Sequence, residues 1–289
     1  MKGFIKNILW PTDFSGEGQE ALLYAGLFAK TFSARITALH VVPDLSPAFY
    51  ADNPIVEMEL SRRMTTMNKT AQAQLLAIAK RRRIALKKVI VSEGSAAKKI
   101  VETAESEKAD LIVMGKKGQS RLEKILIGSA ASHVLRHSPV PVLVTKKRKP
   151  PRRIKTILVP TDFVKEEDAE REFAWKLAGG FGASLTFLYV LELFGHEFRM
   201  VDQMFRSALD KFQRRSHRGG RGISVSKDVI HAPHAAAGID RYSREHRFDL
   251  IVMATCARGL GRFFLGSTTE KVISQTELPV FVLPPKYCT

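Results

Sequence analysis

The sequence predicts an α/β protein made of two tandem doubly wound domains, each a five-stranded parallel sheet with helices on both faces. Three observations predict it. The chain repeats itself over its whole length, short continuous apolar runs alternate with helical stretches, and a basic Pro-Pro segment breaks it near the middle.

The repeat is read in three blocks that recur in the same order. Residues 8–15, ILWPTDFS, are answered by residues 157–164, ILVPTDFV. The pentapeptide DLIVM occurs at 110–114 and again at 249–253. LIGSAASHVLRHSPVPVLV, from Leu126, is matched by FLGSTTEKVISQTELPVFVL, from Phe264. Between the copies Lys146 to Arg153 reads KKRKPPRR, six of its eight residues basic and the other two proline. Adjacent prolines cannot continue a central strand and favour an extended spacer, and the like charges keep it solvated. The domains are therefore placed at 1–147 and 152–289, joined closely enough for the two to pair within one chain.

In the first copy KNILWP is a strand. Ser15 caps a helix whose apolar residues Ala21, Leu22, Tyr24, Ala25 and Phe28 follow helical spacing. ARITALHVV is the second strand, Val56 to Arg83 a long polar helix, and KKVIVS the third strand. Ala96 to Lys108 is helical, LIVM a fourth strand, Ser129 to His137 a helix and PVLV a fifth strand. The second copy repeats this with ILVP, SLTFLYVL, ISVSKDVI, LIVM and PVFVL. Uninterrupted apolar strands of this length suit a parallel sheet covered on both sides.

Composition narrows the function classes. A 45% hydrophobic fraction supplies real cores. No apolar run reaches the roughly 18–20 residues needed to span a bilayer, and the N-terminal stretch MKGFIKNILWPTDFS lacks the pattern of a signal peptide. A cytoplasmic protein is expected. Cys256 and Cys288 have no metal-type or disulfide-type spacing. The net charge of +17 concentrates at Lys80–Arg83, Lys146–Arg153 and Arg214–Arg221. These runs lack interleaved aromatics, so a basic soluble surface is the simpler reading, with weak nucleic-acid association as the alternative.

The chemistry-bearing segments follow the first and fourth strands, where doubly wound folds bind ligands. After the first stands Pro11-Thr12-Asp13; a carboxylate there can accept ribose hydroxyls, with Thr12 supporting the turn. After the fourth comes Gly115-Lys116-Lys117-Gly118, then nine residues, then Gly128-Ser129 opening a helix. Glycines admit close approach of phosphate and permit positive φ. The helix start offers unpaired amides at its positive end, and Lys116 and Lys117 add compensating charge. Neither a dinucleotide fingerprint nor a Walker-type loop follows the first strand.

With ILWPTDFS, HVV, DLIVMG and the Gly-x2-Gly-x9-Gly-Ser loop in place, the chain resembles the universal stress protein family in its tandem-domain form. The resemblance implies strand order 3-2-1-4-5, dimerisation through the last strand, and ATP as the ligand of members that carry this loop. It implies that Asp13 contacts the ribose, that Val41 holds adenine through its backbone, and that Gly115, Gly118, Gly128 and Ser129 surround the phosphates. Ala130 is expected to contribute a backbone contact. Magnesium alongside the nucleotide, and a homodimer of the whole chain, are left open.

The second copy keeps Asp162, Gly266 and Ser267, but DLIVM is followed there by Ala254-Thr255-Cys256-Ala257, and the loop is one residue shorter. Alanines replace both leading glycines, so a degenerate second site with weak or absent binding is expected, although Gly259 and Gly261 offer an altered loop. His40, His133, His137, His231 and His234 form no catalytic or metal-binding arrangement, and Met64 and Met67 read as packing residues. The resulting expectation is an ATP-binding stress-response regulator, hydrolysing ATP slowly at most. The competing reading is a nucleotide-free dimerising scaffold.

Overall fold

The structure is a computed structural model that describes residues 4–43, 54–118, 127–161, 169–192, 207, 222–254 and 265–284. The first copy runs β1 (Asn7–Pro11), α1 (Gly16–Phe32), β2 (Arg35–Val42), α2 (Pro54–Arg82), β3 (Lys88–Glu93), α3 (Ala96–Ser106), β4 (Leu111–Gly115), α4 (Ser129–His137) and β5 (Val142–Thr145). The second runs β6 (Thr156–Pro160), α5 (Ala169–Phe181), β7 (Ser184–Glu192), β8 (Val225–Ala232), α6 (Ala235–Glu245), β9 (Leu250–Ala254), α7 (Ser267–Gln275) and β10 (Val280–Leu283).

Each copy orders its strands 3-2-1-4-5 in parallel, and the two sheets are one. The continuous order is β3-β2-β1-β4-β5-β10-β9-β6-β7-β8. The join is antiparallel, pairing Val142 with Val282, Leu143 with Phe281 and Val144 with Val280. Each final strand thus supplies the partner that the other's edge needs, which removes two exposed edges from the molecule. Both strands are buried over their whole length.

Strand alternation sends side chains to two cores. Ile8, Trp10, Leu111 and Val113 point to the face covered by α1, α2 and α5, while Leu9, Ile112 and Met114 face α3, α4, α6 and α7. An aromatic cluster bridges the copies on the first face: Phe281 lies 5.0 Å from Phe173 and 5.9 Å from Phe28, and Phe28 lies 5.0 Å from Phe181. The repeat also places the same clamp inside each copy. Asp110 Oδ2 accepts the amides of Lys6 and Asn7, and Asp249 Oδ2 accepts those of Lys155 and Thr156. The aspartate that precedes LIVM therefore anchors the start of β1 or β6, and it has this structural use in both copies.

Ser15 caps α1 as its position predicts, its Oγ accepting the Gly18 amide at 3.1 Å. Asp162, Cys256, Gly259, Gly261 and Cys288 lie outside the described residues. Among the described residues no helix is long and apolar enough to cross a membrane.

Candidate functional site

The carboxyl ends of β1, β2 and β4 open into a cleft of about 280 Å³ in the first copy. It lies where the chain leaves β1 for β2 on one side while β4 flanks β1 on the other, the switch point of the sheet. Pro11, Thr12, Asp13, Val41, Gly115, Lys116, Gly118, Gly128, Ser129 and Ala130 all line it. Leu39, Ala96, Ile100 and Met114 complete its apolar end, and Gly18 and Lys117 border the loop. These last residues carry no motif. Ala96 and Ile100 are ordinary helix positions, and only the packing of α3 against β2 and α4 brings them in.

The turn after β1 is built by its own side chains. Thr12 N–H donates to the Leu39 carbonyl at 2.9 Å, tying β1 to β2. Thr12 Oγ1 accepts the Phe14 amide and Asp13 Oδ1 accepts the Ser15 amide, each at 3.1 Å. Phe14 takes the left-handed conformation, φ 66°, which costs a residue with a Cβ roughly 1–2 kcal/mol. Its ring stacks on His40 at 4.3 Å, and His40 Nδ1 meets the Thr12 carbonyl at 2.8 Å. His40 is a brace for the turn. It fixes the aim of Asp13, whose other oxygen, Oδ2, faces the loop.

The loop glycines are needed for room. None of Gly115, Gly118 and Gly128 has a positive φ, so of the two properties glycine offers here the room is used and the left-handed backbone is not. A Cβ on Gly118 would lie 2.6 Å from Asp13 Oδ2; one on Gly115 would lie 2.9 Å from the Glu17 carbonyl carbon and 3.0 Å from Gly18 N. The loop is thus pressed against the first turn of α1. Gly128 N–H donates to the Lys116 carbonyl at 2.9 Å, closing the loop onto α4. Gly128 N-caps α4 with no side-chain cap, so the first amides of α4 face the cleft without an internal acceptor.

Lys116 corrects the sequence reading. Its backbone lines the cleft, but its side chain, 5% exposed, turns into the second copy and Nζ donates to the Ser274 carbonyl at 2.9 Å. Ser274 stands in the last turn of α7, where carbonyls carry the negative end of the helix dipole. Burial, together with Lys146 and Lys117 nearby, lowers the Lys116 pKa from 10.5 to about 8. Its ammonium does not reach the phosphate loop.

The second copy has a cleft in the equivalent place, lined by Pro160, Thr161, Val190, Ala235, Ile239, Ala254, Gly266 and Ser267 among others. Thr161 N–H donates to the Leu188 carbonyl at 2.8 Å, as Thr12 does to Leu39. The differences are chemical. Thr269 replaces Ala131, and its hydroxyl donates to the Ala254 carbonyl at 3.1 Å. Glu192 replaces Pro43 at the strand end and accepts the Ala235 amide at 2.5 Å. Ala254 carries the methyl for which Gly115 has no space.

Comparison with known proteins agrees with this duplication. The model of the universal stress protein family matches twice, at residues 5–146 and 153–284. The chain belongs to the universal stress protein family. A universal stress protein of Methanocaldococcus jannaschii is 38% identical over 152 residues, covering 50% of this chain and 84% of that protein. A second from the same organism is 30% identical over 161 residues, covering 51% of this chain and 99% of the relative. The crystal structure of a universal stress protein from Archaeoglobus fulgidus aligns over 96% of this chain and 98% of its own, with 26% identity and a TM-score of 0.64. That structure spans both copies, so the tandem arrangement is itself a family architecture.

Proposed function

We propose that the first copy binds ATP and that its occupancy sets a conformation or partner preference, making the protein a nucleotide-dependent stress-response regulator with one working site. One observation carries this reading: Asp13, the strand end at Val41, the bare backbone of Gly115 to Gly118 and the uncapped start of α4 converge on one cleft. The apolar end between Leu39, Val41, Ala96, Ile100 and Met114 is chemically suited to a flat base. In this reading the Val41 backbone holds the adenine edge and Asp13 accepts from the ribose. The amides of Ser129 and Ala130 and the Ser129 hydroxyl donate to phosphate oxygens at the positive end of α4. Gly118 and Gly128 leave those oxygens room. Among the described residues no group of three His, Cys, Asp or Glu side chains is placed to hold a metal ion.

The second copy does not bind the same ligand in this proposal, because Ala254 and Thr269 put side-chain atoms where the first copy has none. The test is to denature the purified protein and assay the supernatant for released nucleotide, then to titrate the emptied protein with ATP by calorimetry. One site per chain is the expected result. No released nucleotide together with no heat of binding overturns the reading.

A further inference from the structure

Beside the cleft a carboxylate already takes one backbone donor of a residue that lines it, Lys117. Glu17, in the first turn of α1, accepts the Lys117 backbone amide on Oε2 at 2.6 Å. The contact is enforced by packing, since the Glu17 backbone lies against Gly115 closely enough to exclude a Cβ there. Asp13 brings a second carboxylate to the same loop, its Oδ2 close against Gly118. Lys116, buried beside the cleft, directs its ammonium away to Ser274. At the described GKKG segment itself, two carboxylates approach the backbone and one of the two lysines, Lys116, is turned away.

We infer that Glu17 is a specificity-determining residue that weighs against each additional phosphate on the bound nucleotide. The inference rests on the proposed nucleotide site and says which ligands it prefers. A monophosphate needs only the start of α4 and Gly128. A longer chain extends toward Gly118 and Lys117, where its terminal oxygens compete with the Glu17 carboxylate for the same amide and are repelled by its charge. At separations of about 5 Å in a half-buried setting a unit charge shifts affinity by on the order of tenfold or more. Glu17 thereby makes free ATP a poorer ligand than its extra charge-accepting groups would otherwise allow, and favours nucleotides with fewer phosphates.

The experiment compares AMP, ADP and ATP binding to the nucleotide-free full-length chain by calorimetry, in EDTA at low salt, for the wild type and Glu17→Gln. Glutamine keeps an acceptor oxygen for the Lys117 amide, so the loop anchor survives while the charge goes. The expected result is AMP affinity within twofold of wild type and ATP affinity raised about tenfold, with ADP between them. AMP and ATP affinities that move together, or an unchanged ATP-to-AMP ratio, overturn the inference while leaving the nucleotide site standing. Absence of binding by all three nucleotides to both proteins overturns the site and the inference together.

Discussion

Lys116 Nζ donates to the carbonyl of Ser274, 2.9 Å away and 158 positions later in the chain. The lysine sits between two glycines of the first copy's loop, and the serine closes the helix that starts at the second copy's equivalent loop. Thr255 stands in the second copy where Lys116 stands in the first, so the repeat supplies no second ammonium at this position. The join between the copies is symmetric in its strands, while the lysine that reaches across it occurs only in the first copy's loop position.

Lys116 gives the protein a distinctive pH dependence. Its pKa is about 8 in the folded chain against 10.5 for an ordinary lysine, so the unfolded chain binds the proton more tightly. Stability must then rise as pH climbs from about 8 to 10.5, and the gain is absent below 8, where both states are protonated. Thermal melts of Lys116→Met should lack this rise, with the wild-type and variant curves converging or crossing over that window. An unchanged slope in the variant would assign the rise to other groups.

Gly118→Ala should abolish nucleotide binding without unfolding the chain. Its methyl would stand 2.6 Å from Asp13 Oδ2, so either the carboxylate rotates off its aim or the loop withdraws from α4. Gly115→Ala imposes a backbone clash instead, against the Glu17 carbonyl carbon at 2.9 Å, and copies into the first copy the residue that the second has at Ala254. Calorimetric titration should show at least a tenfold loss for both variants. Circular dichroism should show secondary structure retained in both.

The fold was legible because its determinants are local and repeated. DLIVM and ILxPTDF each mark a strand, the Gly-Ser pair marks a helix start, and their order dictates the doubly wound path. Most of the site was legible for the same reason, since Asp13 and the glycines are motif positions at those ends. What could not be read depends on side-chain direction and on contacts between distant segments. A lysine between two loop glycines looks like a phosphate ligand until the second copy is docked and its ammonium finds Ser274. Glu17 looks like a first-turn acid that favours the helix dipole, and it is that as well. Only the packing of α1 on the loop makes it a partner of Lys117. The glycines serve close approach, as the sequence suggests, but what stands against Gly118 and Gly115 is Asp13 and Glu17, and the positive φ that glycine permits is not used there.

The antiparallel pairing of β5 with β10 should make the two copies unfold as one unit. Phe281 is the test position, being fully buried beside Phe28 of the first copy and Phe173 of the second. Phe281→Ala removes the ring that both copies share and leaves a cavity in their common core. A cost of about 3–5 kcal/mol is expected for a buried phenylalanine. In scanning calorimetry the wild type should melt in a single transition, since separating the copies would expose both apolar strands and their edges. The variant should melt at lower temperature and with its transition broadened or split, because the shared core is what couples the halves. A wild type that melts in two well-separated steps would show that the ladder of Val142 to Val144 with Val280 to Val282 joins the copies without coupling their stability.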